Sequence, residues 1–565
     1  MANFQDFIYE RPNLQVIEAD IRLLLTAFKA AESADQQNDI MAQINKIRNT
    51  FMTMESLCSV RHTIDTQNEY FEKENDYIDE ISPVMAGLVS EFYTELLSSP
   101  YRAELEIKWG SQLFKIAELQ AKTFKPEIIE DLQLENKLSS QYTKLRAGAK
   151  IQFEGEERNL SQMEFFIQSA ERATRLAAQK AVTAFYEANE SAFDDIYDQL
   201  VKVRHRMAQK LGFENYIPLA YAKMTRSDYD QHMVGNYRKQ VFENLVPLSQ
   251  ELRKKQANRL GVESLKYYDE PLQFLSGNAK PKGTPEEIVE SGRTMYKEMS
   301  PETHAFFEMM VEGNLMDLVS KKGKSGGGYC TYFNDYKTPF IFSNFNGTSG
   351  DVDVLTHEAG HAFQVYSSSH FEIPEYLWPT MESAEIHSMS MEFFAWPWMD
   401  AFFKEETDKY KFSHLQSSLL FIPYGVTVDE FQHFVYANPT ATPTERKAKW
   451  REIEMKYLPH RDYEDNDFLN RGGFWFRQMH IFQAPFYYID YTLAQVCAME
   501  FWSKARTDQH SAWQDYLRLC QAGGSRSFLG LVELAGLHNP FEEGTINHIV
   551  GPVSKWISEV DDSQF

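Results

Sequence analysis

Apolar residues recur at intervals of three or four along most of the chain, with charged residues between them. This spacing predicts amphipathic helices. It covers residues 12–99, 125–147 and 192–261, and it resumes after residue 350. Residues 267–283 carry no such period and contain several turn-forming residues, so they predict an irregular connector. The pattern as a whole indicates a mainly α protein.

Two segments predict β structure instead. Residues 151–160 alternate around a central glycine, as a short hairpin does. An aromatic run at 329–345, which follows a glycine-rich turn at 323–328, is the strongest strand pattern in the second half of the chain. After the hairpin, Ser161 and Glu164 have the spacing of a capping box and predict the start of the next helix. We therefore expect a small β-sheet within a helical protein.

The composition excludes several classes of protein. Of 565 residues, 43% are hydrophobic and 14% are aromatic, which is enough for a large core and excludes intrinsic disorder. A net charge of −25 disfavours partners such as nucleic acid or an anionic membrane surface. The chain shows neither a leader pattern nor a long uncharged apolar segment, and its 4 cysteines are widely spaced. We expect a cytoplasmic protein that binds neither nucleic acid nor membranes.

The pattern most specific to one chemistry is His357-Glu358-Ala-Gly-His361. On a helix, two histidines four residues apart lie on one face and can share a tetrahedral Zn²⁺ ion. The glutamate then flanks a water molecule whose pKa the metal lowers, and it can take the proton from that water. The alternative is a buried helix with two hydrogen-bonded histidines, but chance gives only on the order of 0.03 such motifs in a chain of this length.

A third metal ligand must come from outside this motif. The metzincin arrangement fails, because Gln364 and Ser367 stand where it requires glycine and histidine. A carboxylate ligand would leave the fourth position open, as a catalytic site requires. Helical periodicity does not choose among the downstream candidates. These candidates are Glu382, Glu385, Glu392, His370 and His387.

The motif and the segment Glu385-Ile-His-Ser-Met-Ser-Met-Glu392 resemble the thimet oligopeptidase family of zinc metallopeptidases, in its oligoendopeptidase F and Pz-peptidase branch. This resemblance extends over most of the chain. It implies one zinc ion per chain held by His357, His361 and Glu385, with Glu392 behind the ligands. The resemblance to this family also rests on four further segments, namely residues 267–272, 326–330, 344–348 and 474–491.

The last of those segments contains groups that can stabilise a developing oxyanion. The resemblance places a histidine and tyrosines from this region opposite the zinc ion, which selects His480, Tyr488 and Tyr491. Tyr487 remains a further candidate for the same contact. Without the resemblance, an aromatic stripe of this kind is typical of a hydrophobic core.

The resemblance also implies a zincin-like metallopeptidase fold, with a small β-sheet and helical lobes that enclose a deep substrate channel. We expect an N-terminal helical region at 1–190 and a catalytic region at 191–565. Such a channel would admit unfolded oligopeptides and exclude folded proteins. The expected reaction is hydrolysis of internal peptide bonds, with Glu358 activating the water and later passing a proton to the leaving amine.

Several alternatives stay open at this point. Residues 339–345 could form an edge strand that holds an extended peptide, or a core strand. The glycine-rich turn before them could be a mobile loop over a cleft or an ordinary surface turn. The thiol of Cys330 could affect activity through oxidation, although most such cysteines are inert.

Two other functions compete with the peptidase that cuts internal bonds. An aminopeptidase of the gluzincin kind carries a GxMEN-type element before HExxH, but this chain has only Thr380-Met-Glu-Ser383, after the motif. A non-catalytic peptide-binding protein on a zincin scaffold has no need of a general base, and the intact Glu358 therefore argues against it.

Overall fold

The computed structural model describes residues 3–565, and 25 α-helices and five short strands form within them. Among these residues no helix combines the length and the apolar character needed to cross a bilayer. The helices are α1 Leu14–Ala30, α2 Ala34–Ile64, α3 Glu69–Leu97, α4 Arg102–Trp109, α5 Ser111–Gln120, α6 Ile129–Ala147, α7 Leu160–Ile167, α8 Arg172–Ala188, α9 Glu190–Leu211, α10 Tyr216–Lys223, α11 Gln231–Gln240, α12 Val246–Arg259, α13 Pro285–Met299, α14 Pro301–Glu312, α15 Gly350–Ser367, α16 Met381–Phe394, α17 Met399–Phe403, α18 Thr407–Ala437, α19 Pro443–Tyr457, α20 Asp467–Asn470, α21 Met479–Gln483, α22 Tyr488–Thr507, α23 Gln509–Ala522, α24 Phe528–Leu534 and α25 Thr545–Glu559. The strands are β1 Ile151–Phe153, β2 Glu156–Arg158, β3 Met316–Val319, β4 Tyr329–Phe333 and β5 Thr338–Phe345.

The mainly α architecture, the hairpin and the irregular connector are confirmed. β1 and β2 pair antiparallel as the alternation predicted. The predicted capping box at Ser161 and Glu164 is wrong. The helix begins two residues earlier, because Asn159 caps it and exchanges side-chain to backbone hydrogen bonds with Gln162. Asparagine is as effective an N-cap as serine, so residue type alone did not decide between them.

The second sheet differs from the expectation in one respect that affects function. Its strand order is β3-β5-β4, with β3 parallel and β4 antiparallel to β5. β5 is therefore the central strand, its backbone is paired on both sides, and the interpretation of this segment as a peptide-binding edge strand is wrong. β3 was missed because four residues carry too little alternation to recognise.

The apolar side chains form two main clusters. One lies within α1–α5 and includes Ile373 and Tyr376 from the loop after α15. The other runs from Ile128 and its neighbours through the rest of the chain. Within the first cluster a buried ion pair connects α2 to that loop, with Arg48 Nη2 2.7 Å from Glu375 Oε1. The division of the chain at residue 190 stays a prediction.

Helices α15 and α16 pack closely enough to bring their side chains to one point. A Cβ atom on Gly360 would lie 2.6 Å from the Ser388 Cα atom and 2.7 Å from the His387 carbonyl oxygen. Both neighbours are backbone atoms of α16, so they cannot move aside without moving the helix. The glycine in the middle of the HExxH motif is thus required for the helix contact on which the site depends.

We expect Gly360→Ala to lower the free energy of unfolding by about 1–3 kcal/mol, because overpacking outweighs the better helix propensity of alanine. The measurement is urea denaturation of the metal-free protein. Gly551→Ala is the matched control, since a Cβ atom at that helical position meets nothing within 4 Å. Equal stability of the two variants would contradict the packing argument.

Candidate metal centre

Three predicted ligands converge where α15 meets α16. His357 Nε2 lies 3.1 Å and His361 Nε2 lies 3.3 Å from the same oxygen, Oε2 of Glu385. The glutamate side chain is 1% exposed, and those of the two histidines are 19% and 11% exposed. Among residues 3–565, this trio is the only group of three or more such side chains placed to hold a metal ion.

The spacing of the donor atoms fits a tetrahedral metal ion. Bonds of about 2.0–2.1 Å at tetrahedral angles place ligand atoms about 3.3 Å apart. Burial alone would raise the pKa of Glu385, but the charge of His361 and hydrogen bonds from both histidines outweigh it and hold that pKa well below its ordinary value. The carboxylate is therefore ionised, and two imidazole nitrogens and one carboxylate oxygen form a donor set suited to Zn²⁺.

Glu392 orients one of these histidines. Its Oε1 accepts a hydrogen bond from His357 Nδ1 at 2.7 Å, which orients the ring so that its Nε2 atom faces the Glu385 oxygen. Its Oε2 accepts from His414 Nε2 at 2.7 Å, and Trp396 Nε1 donates to the other nitrogen of His414 at 3.1 Å. A carboxylate behind a histidine ligand fixes its tautomer and raises its basicity. His414 lies on α18, and nothing in the sequence pattern pointed to it.

We expect Glu392→Gln to weaken zinc affinity by about 10- to 100-fold, as is typical when the partner behind a histidine ligand is changed. Competition with a chromophoric chelator measures this affinity. Glu405→Gln is the control, because that side chain is 75% exposed and remote from the site. An affinity within twofold of the wild-type value would contradict the role given to Glu392.

Glu358 lies in the same cleft with one oxygen unsatisfied. The residue is 5% exposed, and its Oε2 is buried without a hydrogen-bond partner. Burial raises the pKa of this carboxyl group above its ordinary value, which makes it a better proton acceptor. A carboxylate with a free, desolvated oxygen beside a metal site is suited to accept a proton from water.

The glycine-rich loop at 323–328 covers this carboxylate. A Cβ atom on Gly328 would lie 3.1 Å from Glu358 Oε1 and 2.9 Å from Val354 Cγ1, so the close approach requires glycine. The amide of Asn344 holds the loop through bonds of 2.8 Å to the carbonyl oxygens of Ser325 and Gly327. The loop is therefore part of the site rather than an ordinary surface turn, and its mobility stays a prediction.

A second group of polar side chains faces Glu385 from α21 and α22. The Tyr487 hydroxyl donates to Glu385 Oε1, and His480 Nε2 lies 3.2 Å from the Tyr491 hydroxyl. Burial lowers the pKa of His480 to about 4, so its ring is neutral at physiological pH. The Tyr488 ring packs against His480, with 5.0 Å between centroids. The structure thus brings the three predicted residues together and adds Tyr487 as the tyrosine that contacts Glu385.

The other candidates lie outside the donor trio. His370 is exposed, and the Nδ1 of buried His387 donates to a backbone carbonyl oxygen 2.6 Å away within its own helix. Glu382 is fully buried on α16 and lies apart from the histidine pair. Burial holds the pKa of the Cys330 thiol well above its ordinary value, which argues against a reactive thiolate.

Comparison with known families agrees with this geometry. The model of the family described as Peptidase family M3 matches residues 165–551. The chain belongs to peptidase family M3. The M3 N-terminal domain model matches residues 4–124 in addition. The resemblance to the thimet oligopeptidase family is thereby confirmed.

Solved M3 structures share the fold over the full chain. Pz peptidase A, solved with an inhibitor, superposes with a TM-score of 0.99 at 57% identity, covering 99% of this chain and 100% of the other. A Bacillus anthracis protein assigned as an oligoendopeptidase F superposes with a TM-score of 0.95 at 53% identity, covering 100% of both. The mainly α fold with small sheets is therefore confirmed as an M3 fold.

One curated relative is more distant. The oligoendopeptidase F homolog of Borreliella burgdorferi is 22% identical over 384 residues. This match covers 66% of the present chain but 63% of the relative. The matched region is thus less than two thirds of the length of that M3 protein.

Proposed function

We propose that the protein is a zinc-dependent oligoendopeptidase that hydrolyses internal bonds of short, unfolded peptides. One observation carries the proposal above all others. His357, His361 and Glu385 direct three donor atoms at one point, and Glu358 has an unpaired buried oxygen in the same cleft. Membership of peptidase family M3, and relatives named oligoendopeptidase F and Pz peptidase, support it.

Two imidazoles and one carboxylate form the ligand set of a catalytic zinc site, because they leave the fourth position open. When bound, zinc supplies Lewis acidity that polarises a peptide carbonyl group and lowers the pKa of water. Ser388 assists on the protein side, since its hydroxyl donates to Glu385 Oε2 at 2.9 Å and orients that carboxylate. Tyr487 does the same at the other oxygen of Glu385.

Glu358 is the proposed general base and acid. Its unpaired oxygen accepts the proton of the attacking water, and the same group then delivers that proton to the nitrogen of the leaving amine. The low-dielectric surroundings that raise its pKa make Glu358 a stronger base for the first of these two transfers. The reaction thus needs only one proton shuttle on the protein.

His480 and Tyr491 are the proposed donors to the developing oxyanion. The neutral imidazole accepts from the Gln478 amide at its Nδ1 atom, 2.7 Å away, so the proton is on Nε2, which lies 3.2 Å from the Tyr491 hydroxyl. Burial raises the pKa of Tyr491 well above its ordinary value and keeps its hydroxyl protonated. Donors of this kind accelerate a reaction because they bind the transition state more strongly than the substrate. Tyr488 lies beside His480 and is proposed to contribute more weakly to stabilisation of the oxyanion.

Two cavities lie against segments that carry or support the site. One has a volume of about 120 Å³ and lies between the glycine-rich loop and Met479. The other has a volume of about 360 Å³ and is lined by Asp353, His414 and Tyr424 among others. We assign these cavities to residues of the substrate next to the cleaved bond.

Metal analysis tests this proposal. We expect one zinc ion per chain by mass spectrometry of the intact holoenzyme and loss of peptide hydrolysis on dialysis against a chelator. Added Zn²⁺ should restore hydrolysis in the wild-type protein. Full activity of a demonstrably zinc-free protein would overturn the zinc assignment.

A further inference from the structure

Two arginines near the site have no anionic partner. Arg146 on α6 and Arg477 just before α21 are each partly buried. The Nε atom of each is buried without a hydrogen-bond partner. Among residues 3–565, every other partly or fully buried arginine donates to a carboxylate or to a backbone carbonyl oxygen. Desolvated charges of this kind are costly unless an anion compensates them.

Arg146 lines the 120 Å³ cavity described above, together with Glu164, Met479 and residues 324–327 of the glycine-rich loop. The cavity adjoins the proposed catalytic groups on two sides. Met479 directly precedes His480, and its sulfur lies 3.6 Å from the position of a Cβ atom on Gly327. The cavity therefore lies next to two segments that carry or cover proposed catalytic groups.

The charge balance of this cavity is positive. The exposed side chain of Glu164 is close enough to Arg146 and Arg477 for their charges to favour its ionised form, but its carboxyl group forms no ion pair within 4.0 Å with either. Lys324 also lines the cavity, but its Nζ lies 2.5 Å from Asp317 Oδ1 and is already neutralised. Arg146 in the cavity lining and Arg477 near it thus carry two positive charges against the single carboxyl group of Glu164, in a protein whose net charge is −25.

The surroundings of the two arginines hold them in place. The guanidinium carbon of Arg477 lies 4.1 Å from the ring centroid of Phe474, and that of Arg146 lies 5.7 Å from the ring centroid of Tyr142. Tyr142 is itself fixed by a 2.9 Å hydrogen bond to the carbonyl oxygen of Phe476. The edge of a guanidinium group matches a carboxylate through paired hydrogen bonds.

We propose that Arg146 and Arg477 form a subsite that binds a carboxylate group of the peptide substrate. This inference rests on the proposed peptidase function and assigns a specificity to the same cleft. The carboxylate is either the free C-terminus of the peptide or the side chain of an aspartate or glutamate. The cavity has room for several water molecules and hence for one carboxylate group.

A binding experiment tests the subsite without relying on turnover. The zinc-loaded Glu358→Gln protein is titrated by calorimetry with one peptide sequence as the free acid and as the C-terminal amide. A second series is amidated throughout and carries a single Glu or Gln at successive positions. We expect the charged member of one series to bind about 10- to 100-fold more tightly than its neutral counterpart. The series that shows the preference identifies the source of the carboxylate.

Substitutions test whether the two arginines cause the preference for the charged peptide. In Arg146→Met or Arg477→Met the ratio of dissociation constants between the neutral and the charged peptide should fall towards one, whereas Arg146→Lys should keep part of it. Arg506→Met is the matched control, since Arg506 is exposed, lies over Trp502 and also lacks an ion pair. Equal binding of charged and neutral peptides in both series by the parent protein would overturn the subsite. So would a preference that survives both methionine variants.

The two proposals can fail separately. If wild-type protein cleaves peptides without any preference for a carboxylate, the subsite is wrong and the peptidase stands. If it cleaves no peptide but the Glu358→Gln protein still prefers the charged ligand through Arg146, the peptidase is wrong and an anion-binding site remains.

Discussion

Replacing Glu358 by glutamine is expected to lower kcat for peptide hydrolysis by about 10²- to 10⁴-fold, the range typical of a lost general base. The amide has nearly the same shape but cannot accept the proton. Zinc content should stay at one ion per chain, because Glu358 does not belong to the donor trio. Steady-state kinetics and metal analysis on the same preparation measure both quantities.

Glu372→Gln is a suitable control for that variant, since Glu372 is an exposed glutamate shortly after the same helix. It should keep the wild-type kcat. A Glu358→Gln protein that retains more than a tenth of wild-type kcat with bound zinc would show that another group takes the proton.

The second large effect is expected at Glu385. Glu385→Gln replaces a charged ligand by a neutral one. The loss of zinc affinity should therefore exceed the loss expected for Glu392→Gln, which is about 10- to 100-fold. The protein should be isolated largely without zinc and without activity. Its fold should be retained, because the two residues have nearly the same volume.

Glu392→Gln serves as the matched comparison, because it removes the same charge from the same helix. The difference is that Glu392 contacts Nδ1 of His357, whereas Glu385 faces the Nε2 atoms of both histidines. Excess Zn²⁺ should restore activity to Glu392→Gln at much lower concentration than to Glu385→Gln. The reverse order would mean that Glu392 binds the metal and Glu385 supports it.

The histidine pair and the general base could be predicted because they lie within five consecutive residues of one helix. Local spacing alone then decides which side chains share a face. The third ligand could not be predicted from local spacing. The residue pattern left several candidates open, and family resemblance was needed to select Glu385, because its approach depends on how α16 packs against α15 at Gly360.

Contacts between distant segments could not be predicted. The hydrogen bond between His414 and Glu392 joins α18 to α16, and that from Tyr487 to Glu385 spans 102 residues. The pairing of β3 with β5 and the cover of Glu358 by Gly328 likewise depend on tertiary packing. The local periodicity of the sequence does not encode contacts of this kind. The lack of an anionic partner at Arg146 and Arg477 likewise depends on which carboxylates the fold brings near them, and no sequence pattern encodes it.

Product analysis of a defined peptide mixture tests the central claim most directly. Peptides of different lengths are incubated with wild-type and Glu358→Gln protein, each with and without a chelator, and the cut positions are read by mass spectrometry. The account predicts cuts at internal bonds that fade for the longest peptides and vanish in the variant and with the chelator. Removal of single N-terminal residues would indicate an aminopeptidase, and intact peptides throughout would contradict the enzyme assignment.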